Sequence, residues 1–206
     1  RDRTRASAVM PLPATRIVDD AADHVRAVVH PEIYRHSLRT YLLGMEAARR
    51  DGVTDIDEES LFLAALFHDS GTAPVYNGPA RFEIEGADAA ARFLRAYGWG
   101  TAKVDPIWEA IALHTTPEIP ERRGMVPRYM RKGVQIEFGS AQLRESFAEA
   151  IEAAESQYPR ECLEEVLQGL VINQALARPQ KASKPSWVAD LVRHHRPGQP
   201  GINPAF

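Results

Sequence analysis

Residues 61–71 read LFLAALFHDSG, an unbroken apolar run that stops on the adjacent pair His68 and Asp69. No other stretch restricts the fold as tightly. The run reads as a buried helix that delivers an imidazole and a carboxylate side by side at its end. A buried carboxylate without a partner is costly, so Asp69 needs a cation, a hydrogen-bond partner or water. Imidazole and carboxylate together suit Zn, Fe, Mn or Ni, and the pair is half of a divalent-metal site. Taken alone it fits a helix cap with a satisfied histidine better. Its company in the chain reverses that preference.

The rest of the chain is patterned for helices. Thr15 or Asp19 caps a first helix running to about Val29, with Ile17, Ala21, Val25 and Val28 on one stripe. Pro31 suits the first turn of a second helix, which ends at the Asp51-Gly52 turn, and Asp57 starts the third. Gly71 to Ala80 reads as a loop. A fourth helix, EGADAAARFLRAYG, is expected to pack through Ala89, Phe93 and Tyr97, and a fifth starts at Asp105-Pro106. Thr116 to Arg128 is the longest irregular stretch and reads as a lid. Helices follow over about 129–140, 142–157 and 160–177, and WVADLVRHH forms a last short one. No alternation marks a strand. The expected fold is all-α: a loose arm over residues 1–14, one helical domain over 15–195 and a loose tail over 196–206.

With 206 residues the chain can fill one core, and a net charge of −3 gives no general pull toward nucleic acid or anionic lipid. The single cysteine, Cys162, excludes an internal disulfide and is expected to be structural. No apolar run is long enough to span a bilayer. The single cysteine fits a reducing cytoplasm, the expected location, and the basic start lacks the apolar stretch of a secretory signal. The expected partner is a small-molecule substrate, with neither nucleic acid nor membrane; a homo-oligomer stays open.

His36 lies on the second helix, in HSLRTY, beside Arg39. If the second and third helices run antiparallel, His36 faces His68 and Asp69 across their interface. Two imidazoles and one carboxylate then hold a metal and leave a position for water or substrate.

The order His36, His68-Asp69 and a later acid resembles the HD superfamily of metal-dependent hydrolases and lyases. Four blocks are similar to its cyanamide hydratase branch: HSLR at 36–39, FHDSGT at 67–72, FEIEG at 82–86 and EAIALH at 109–114. The resemblance implies a single-domain HD-type helical bundle with one divalent metal between helices, zinc foremost, with iron, manganese or nickel open. It implies His36, His68 and Asp69 as ligands. Aligning QYPR at 157–160 puts Glu137 at the place of the family's last ligand, an aspartate. A solvent-facing glutamate is the equal alternative there. The resemblance places Glu83 by the metal and His114 near it, so Asp69, Glu83 and His114 are the catalytic candidates. Arg39, Phe67, Thr72, Phe82 and Trp108 are the candidate substrate pocket.

The implied reaction is hydration of a small nitrile-like compound, with cyanamide to urea as the type case. A phosphohydrolase is the alternative, with Arg39 or the cluster Arg122, Arg123, Arg128, Arg131 and Lys132 gripping phosphate. A helical module that keeps the metal site without catalysis is the third reading. His24, His30, His194 and His195 fall outside the blocks and read as bystanders.

Overall fold

The computed structural model describes residues 11–195. The expected arm over 1–14 and tail over 196–206 therefore fall largely outside the described residues, although Leu12 packs against the core. Among the described residues there are ten α-helices and no strand. The fold is all-α, as the periodicity predicts.

Three helices build the centre. In α2 (Pro31–Arg50), Pro31 occupies the first turn and the His30 side chain accepts from the Glu32 amide at 3.1 Å. In α3 (Glu58–Phe67), the Asp57 carboxylate accepts from the Ser60 amide at 3.0 Å and from its hydroxyl at 2.7 Å. Every residue of α3 from Ser60 onward is buried, which is why the run is apolar on all faces. Tyr41 meets Phe62 at 5.2 Å between ring centroids, while His36, earlier in α2, meets His68 at 4.9 Å, after α3. The two helices therefore run antiparallel.

On its other side α2 meets α6 (Met125–Phe138), also antiparallel. Gly133 allows it: a Cβ there would lie 2.1 Å from the Thr40 carbonyl oxygen, so only hydrogen lets the backbones approach this closely. Glu137 is one turn beyond Gly133 and His36 one turn before Thr40, so the same register sets these two side chains against each other.

Around this centre stand α1 (Arg16–Val28), α4 (Phe82–Ala96), α5 (Thr101–Ala112), α7 (Ala141–Ser146), α8 (Ala148–Gln157), α9 (Leu163–Ala177) and α10 (Trp187–His194). A short 3-10 turn, Ser70–Thr72, follows Asp69 and packs against the start of α4. Gly71 is pressed there so that an added Cβ would lie 1.8 Å from the Phe82 carbonyl oxygen.

Several boundaries differ from expectation. Helix α4 starts at Phe82, which puts Glu83 on the helix itself. Helix α5 starts at Thr101, with Pro106 inside it, forgoing one backbone hydrogen bond that the surrounding core tolerates. Helix α6 starts at Met125, and Pro127 sits in its first turn, where an amide proton would have no intrahelical partner. The stretch read as one helix over 142–157 is two, broken at Phe147. Helix α9 begins at Leu163 instead of Arg160, and Tyr97 is half-exposed at the end of α4 rather than packed. No helix of the described residues is long and apolar enough to cross a membrane.

Candidate metal centre

His36 on α2, and His68 and Asp69 at the end of α3, converge with exposures of 0%, 0% and 1%. His36 Nε2 is 3.0 Å from His68 Nε2 and 3.4 Å from Asp69 Oδ2, and His68 Nε2 is 3.1 Å from the same oxygen. The antiparallel packing of α2 on α3 brings together residues thirty-two positions apart.

The partners of the other ring nitrogens decide what these atoms offer. His68 Nδ1 donates to the Ala65 carbonyl at 2.7 Å, which leaves Nε2 as the lone-pair atom. His36 Nδ1 faces a Glu137 carboxylate oxygen at 3.5 Å and the Thr40 hydroxyl at 3.5 Å, so Nδ1 is the nitrogen that keeps its proton. Two Nε2 lone pairs thus converge on a buried carboxylate whose Oδ2 makes no hydrogen bond. Such atoms repel one another unless a positive charge sits among them. A divalent cation satisfies all three donors at once, and two imidazoles with one carboxylate are its ordinary ligands.

The titration behaviour expresses the same demand. Burial works against ionisation of Asp69, yet the imidazoles of His68, His114 and His36 facing it hold its carboxyl well below the usual range. Burial also pulls the His36 imidazole down, but Asp69 and Glu137 outweigh it and leave its pKa raised. At His68 burial prevails over the attraction of Asp69 and the pKa is lowered, which favours the neutral ring that a cation needs.

His114, just past α5, completes the rim. Its Nε2 lies 3.3 Å from Asp69 Oδ1, the oxygen on the other side of the carboxylate, and its Nδ1 donates to the Ile111 carbonyl at 2.6 Å. Its ring stands edge-on to that of His68 at 4.9 Å. Glu83, fully buried in the first turn of α4, accepts from the Thr115 hydroxyl at 2.7 Å through Oε1, while Oε2 makes no hydrogen bond. The Arg81 Nε lies 3.5 Å from that free oxygen.

Glu137, the expected fourth ligand, stands apart from the three converging donors. Its carboxylate is buried, which also removes the solvent-facing alternative, and it sits at the Nδ1 edge of His36, away from the Nε2 atoms. Oε1 accepts from Arg39 Nε at 2.7 Å and lies 3.0 Å from Arg160 Nη1. Burial opposes its ionisation, but the hydrogen bond and charge of His36, with Arg39 and Arg160, bring its pKa down from 4.5 to about 2. Arg39, expected in the substrate pocket, is engaged beside it. The guanidinium is 0% exposed and also donates to the carbonyls of Tyr158 at 2.9 Å and Pro159 at 3.0 Å.

The remaining pocket candidates divide. The Phe82 ring stands 5.7 Å from that of His114, beside the site. The Phe67 ring instead meets His24 and Phe93, because successive helical residues leave on different faces and His68 takes the one toward Asp69. The Trp108 indole donates to Asp88 at 2.8 Å, across the α4–α5 contact. The Thr72 hydroxyl donates to the Asp69 carbonyl at 2.7 Å and closes the turn behind that residue. Sequence reasoning missed Arg160 and Thr115, whose partners lie on other helices. It also grouped Arg131 with surface cations, whereas Arg131 is buried and donates to the His114 carbonyl at 2.7 Å. On the surface Arg122 and Arg128 donate to the backbone carbonyls of Glu118 and Glu121, and Arg123 pairs with the Glu109 carboxylate. Cys162 is exposed, not structural, and His30 caps α2.

Two comparisons bear on this arrangement. The family model described as HD domain matches residues 33–202, a span that holds every residue of the centre. No curated protein matches the chain.

Proposed function

The chain belongs to the HD domain family, and from that premise we propose that it adds water to a small nitrile-like substrate, cyanamide to urea being the model reaction. HD domains are typically metal-dependent hydrolases, and the buried His36, His68 and Asp69 cluster fits a divalent metal. The observation that carries the narrower reading is the commitment of Arg39. Arg39, one turn from His36 on the ligand helix, is already taken by Glu137 and two backbone carbonyls, so it does not serve as a phosphate clamp, and the compact, deeply buried centre suits a small substrate.

In this reading His36 and His68 would hold a divalent cation through Nε2 and Asp69 through its carboxylate, with zinc the first expectation. The cation supplies water ionised near neutral pH, its pKa lowered from 15.7 toward roughly 7. The chain's own residues handle the protons. Water oxygen bonds to the nitrile carbon, one carbon–nitrogen π bond opens, and the nitrogen takes a proton from Glu83 or His114. The proton released by water restores that residue, and the O–H proton of the resulting isourea then passes to nitrogen to leave urea, so the addition balances without redox change. His114 suits the task because the Ile111 carbonyl fixes Nδ1 and leaves Nε2 to exchange a proton beside Asp69. Glu83 suits it because Oε2 has no hydrogen-bond partner. Phe82 supplies an apolar wall.

Membership of a largely hydrolytic family favours a second reading, a phosphohydrolase acting on a nucleotide or small phosphate ester. Urea formation from cyanamide, measured beside phosphate release from nucleotides on the same metal-loaded protein, separates the two. Urea without phosphate supports the hydratase; phosphate without urea rejects it.

A further inference from the structure

We propose that Glu137 is a positioning residue for His36 and not one of the metal's ligands. Its carboxylate, gripped by two guanidiniums, orients the ring so that Nε2 points at His68 and Asp69. The inference rests on reading His36, His68 and Asp69 as a divalent-cation site.

Four observations carry it. First, the two nitrogens of His36 have separate partners: Nε2 lies 3.0 Å from His68 Nε2 and 3.4 Å from Asp69 Oδ2, while Nδ1 lies 3.5 Å from Glu137 Oε1. The carboxylate is behind the ring. Second, that oxygen is engaged: Arg39 Nε and Nη2 each approach it to 2.7 Å and Arg160 Nη1 to 3.0 Å, so moving it onto a cation would strip the buried Arg39 guanidinium of its counter-ion, while Arg160 would keep Glu164. Third, the ring is wedged. Phe138 stands edge-on to His36 at 5.1 Å, and the Arg160 guanidinium lies 5.2 Å from the Phe138 ring on its own account. Fourth, the hub ties distant chain together, since Arg39 also holds the carbonyls of Tyr158 and Pro159 and Arg160 donates to the Glu137 carbonyl at 2.9 Å. The connection between α8 and α9 is thereby fastened to the ligand helix. A carboxylate at the far nitrogen of a ligating imidazole fixes its tautomer and raises its donor strength, and losing such a partner typically weakens metal binding by about 10–100-fold.

The test uses the full chain loaded with Co(II), comparing wild type with Glu137→Gln and Glu137→Ala. The visible cobalt spectrum and X-ray absorption report the donor set, and competition with a chelator reports affinity. Glutamine still offers an oxygen to Nδ1–H but no charge. The expected result is an unchanged donor set in both variants, with affinity falling by about 10-fold for Gln and about 100-fold for Ala. Loss of one oxygen donor in Glu137→Gln would overturn the proposal and make Glu137 a ligand. Wild-type affinity in Glu137→Gln would overturn it as well, by removing the positioning role. Should Glu137→Ala not fold, the isosteric Gln variant carries the test. Wild type that takes up no cobalt is a separate outcome: it rejects the cation site itself and the proposal with it.

Discussion

Asp69 and Glu137 are both buried carboxylates beside His36, and the fold treats them in opposite ways. Around Glu137 the chain gathers positive charge: Arg39 and Arg160 close on one oxygen at 2.7–3.0 Å. Around Asp69 it gathers lone pairs, with three imidazole Nε2 atoms at 3.1–3.4 Å and no guanidinium or ammonium. A chain that can neutralise one buried acid with arginine, yet surrounds its neighbour with imidazoles, leaves that neighbour for a cation from outside. Glu83 stands between the two cases, one oxygen held by Thr115 and the other without a hydrogen bond. On the proposed reading the difference separates structure from chemistry: the neutralised acid holds the site and the other two act in it.

The sharpest way to break this contrast is at the imidazoles. His68→Ala should take bound metal from about one ion per chain to none and abolish turnover with it, as metal analysis and a urea assay on the same sample would show. Turnover retained without metal would end the distinction. Glu83→Gln should leave metal content unchanged while lowering kcat by roughly 10²–10⁴-fold, the span usual for a lost general acid. A variant that loses metal instead would move Glu83 into the ligand set.

Glu137→Ala should cost stability even in the metal-free protein. Two arginines lose a buried partner, and removal of one member of such a pair costs roughly 3–5 kcal/mol, measurable by urea unfolding. The same acid sets a pH dependence. Because its folded pKa lies near 2 against an ordinary 4.5, its ionised form stabilises the fold above pH 4.5, and that contribution is lost as pH falls from there through about 2. A shift of that size corresponds to roughly 3 kcal/mol. Unfolding of Glu137→Gln should be flatter across that window than unfolding of wild type. The smallest effect belongs to the helix that carries the ligands: Asp57→Ala removes the α3 cap and should cost about 1 kcal/mol with metal affinity little changed.

Much of this was written in the sequence where the signal is local. The apolar run over 61–67 could only be buried, and His68-Asp69 at its end announced the centre. His36 became a partner only through the resemblance and the antiparallel pairing it requires. Helix starts were misjudged where proline misled: Pro106 lies inside α5, and Pro127 sits in the first turn of α6 rather than in a loop before it. The role of Glu137 was hidden for another reason. What defines it is Arg39, ninety-eight positions away, and Arg160, twenty-three away, brought together by a glycine contact between α2 and α6. No periodicity encodes which nitrogen of His36 a carboxylate will face. The partners of Arg39 were hidden by the same token, since an arginine beside a ligand looks like a substrate clamp until they are known.

The central claim is that His36, His68 and Asp69 share one divalent cation. Metal analysis of the purified chain, followed by titration of the chelator-stripped protein with zinc, tests it most directly. The account predicts about one ion per chain, rebinding saturably, and no binding by the His68→Ala variant. A folded wild-type chain that carries no metal and takes up none would contradict it.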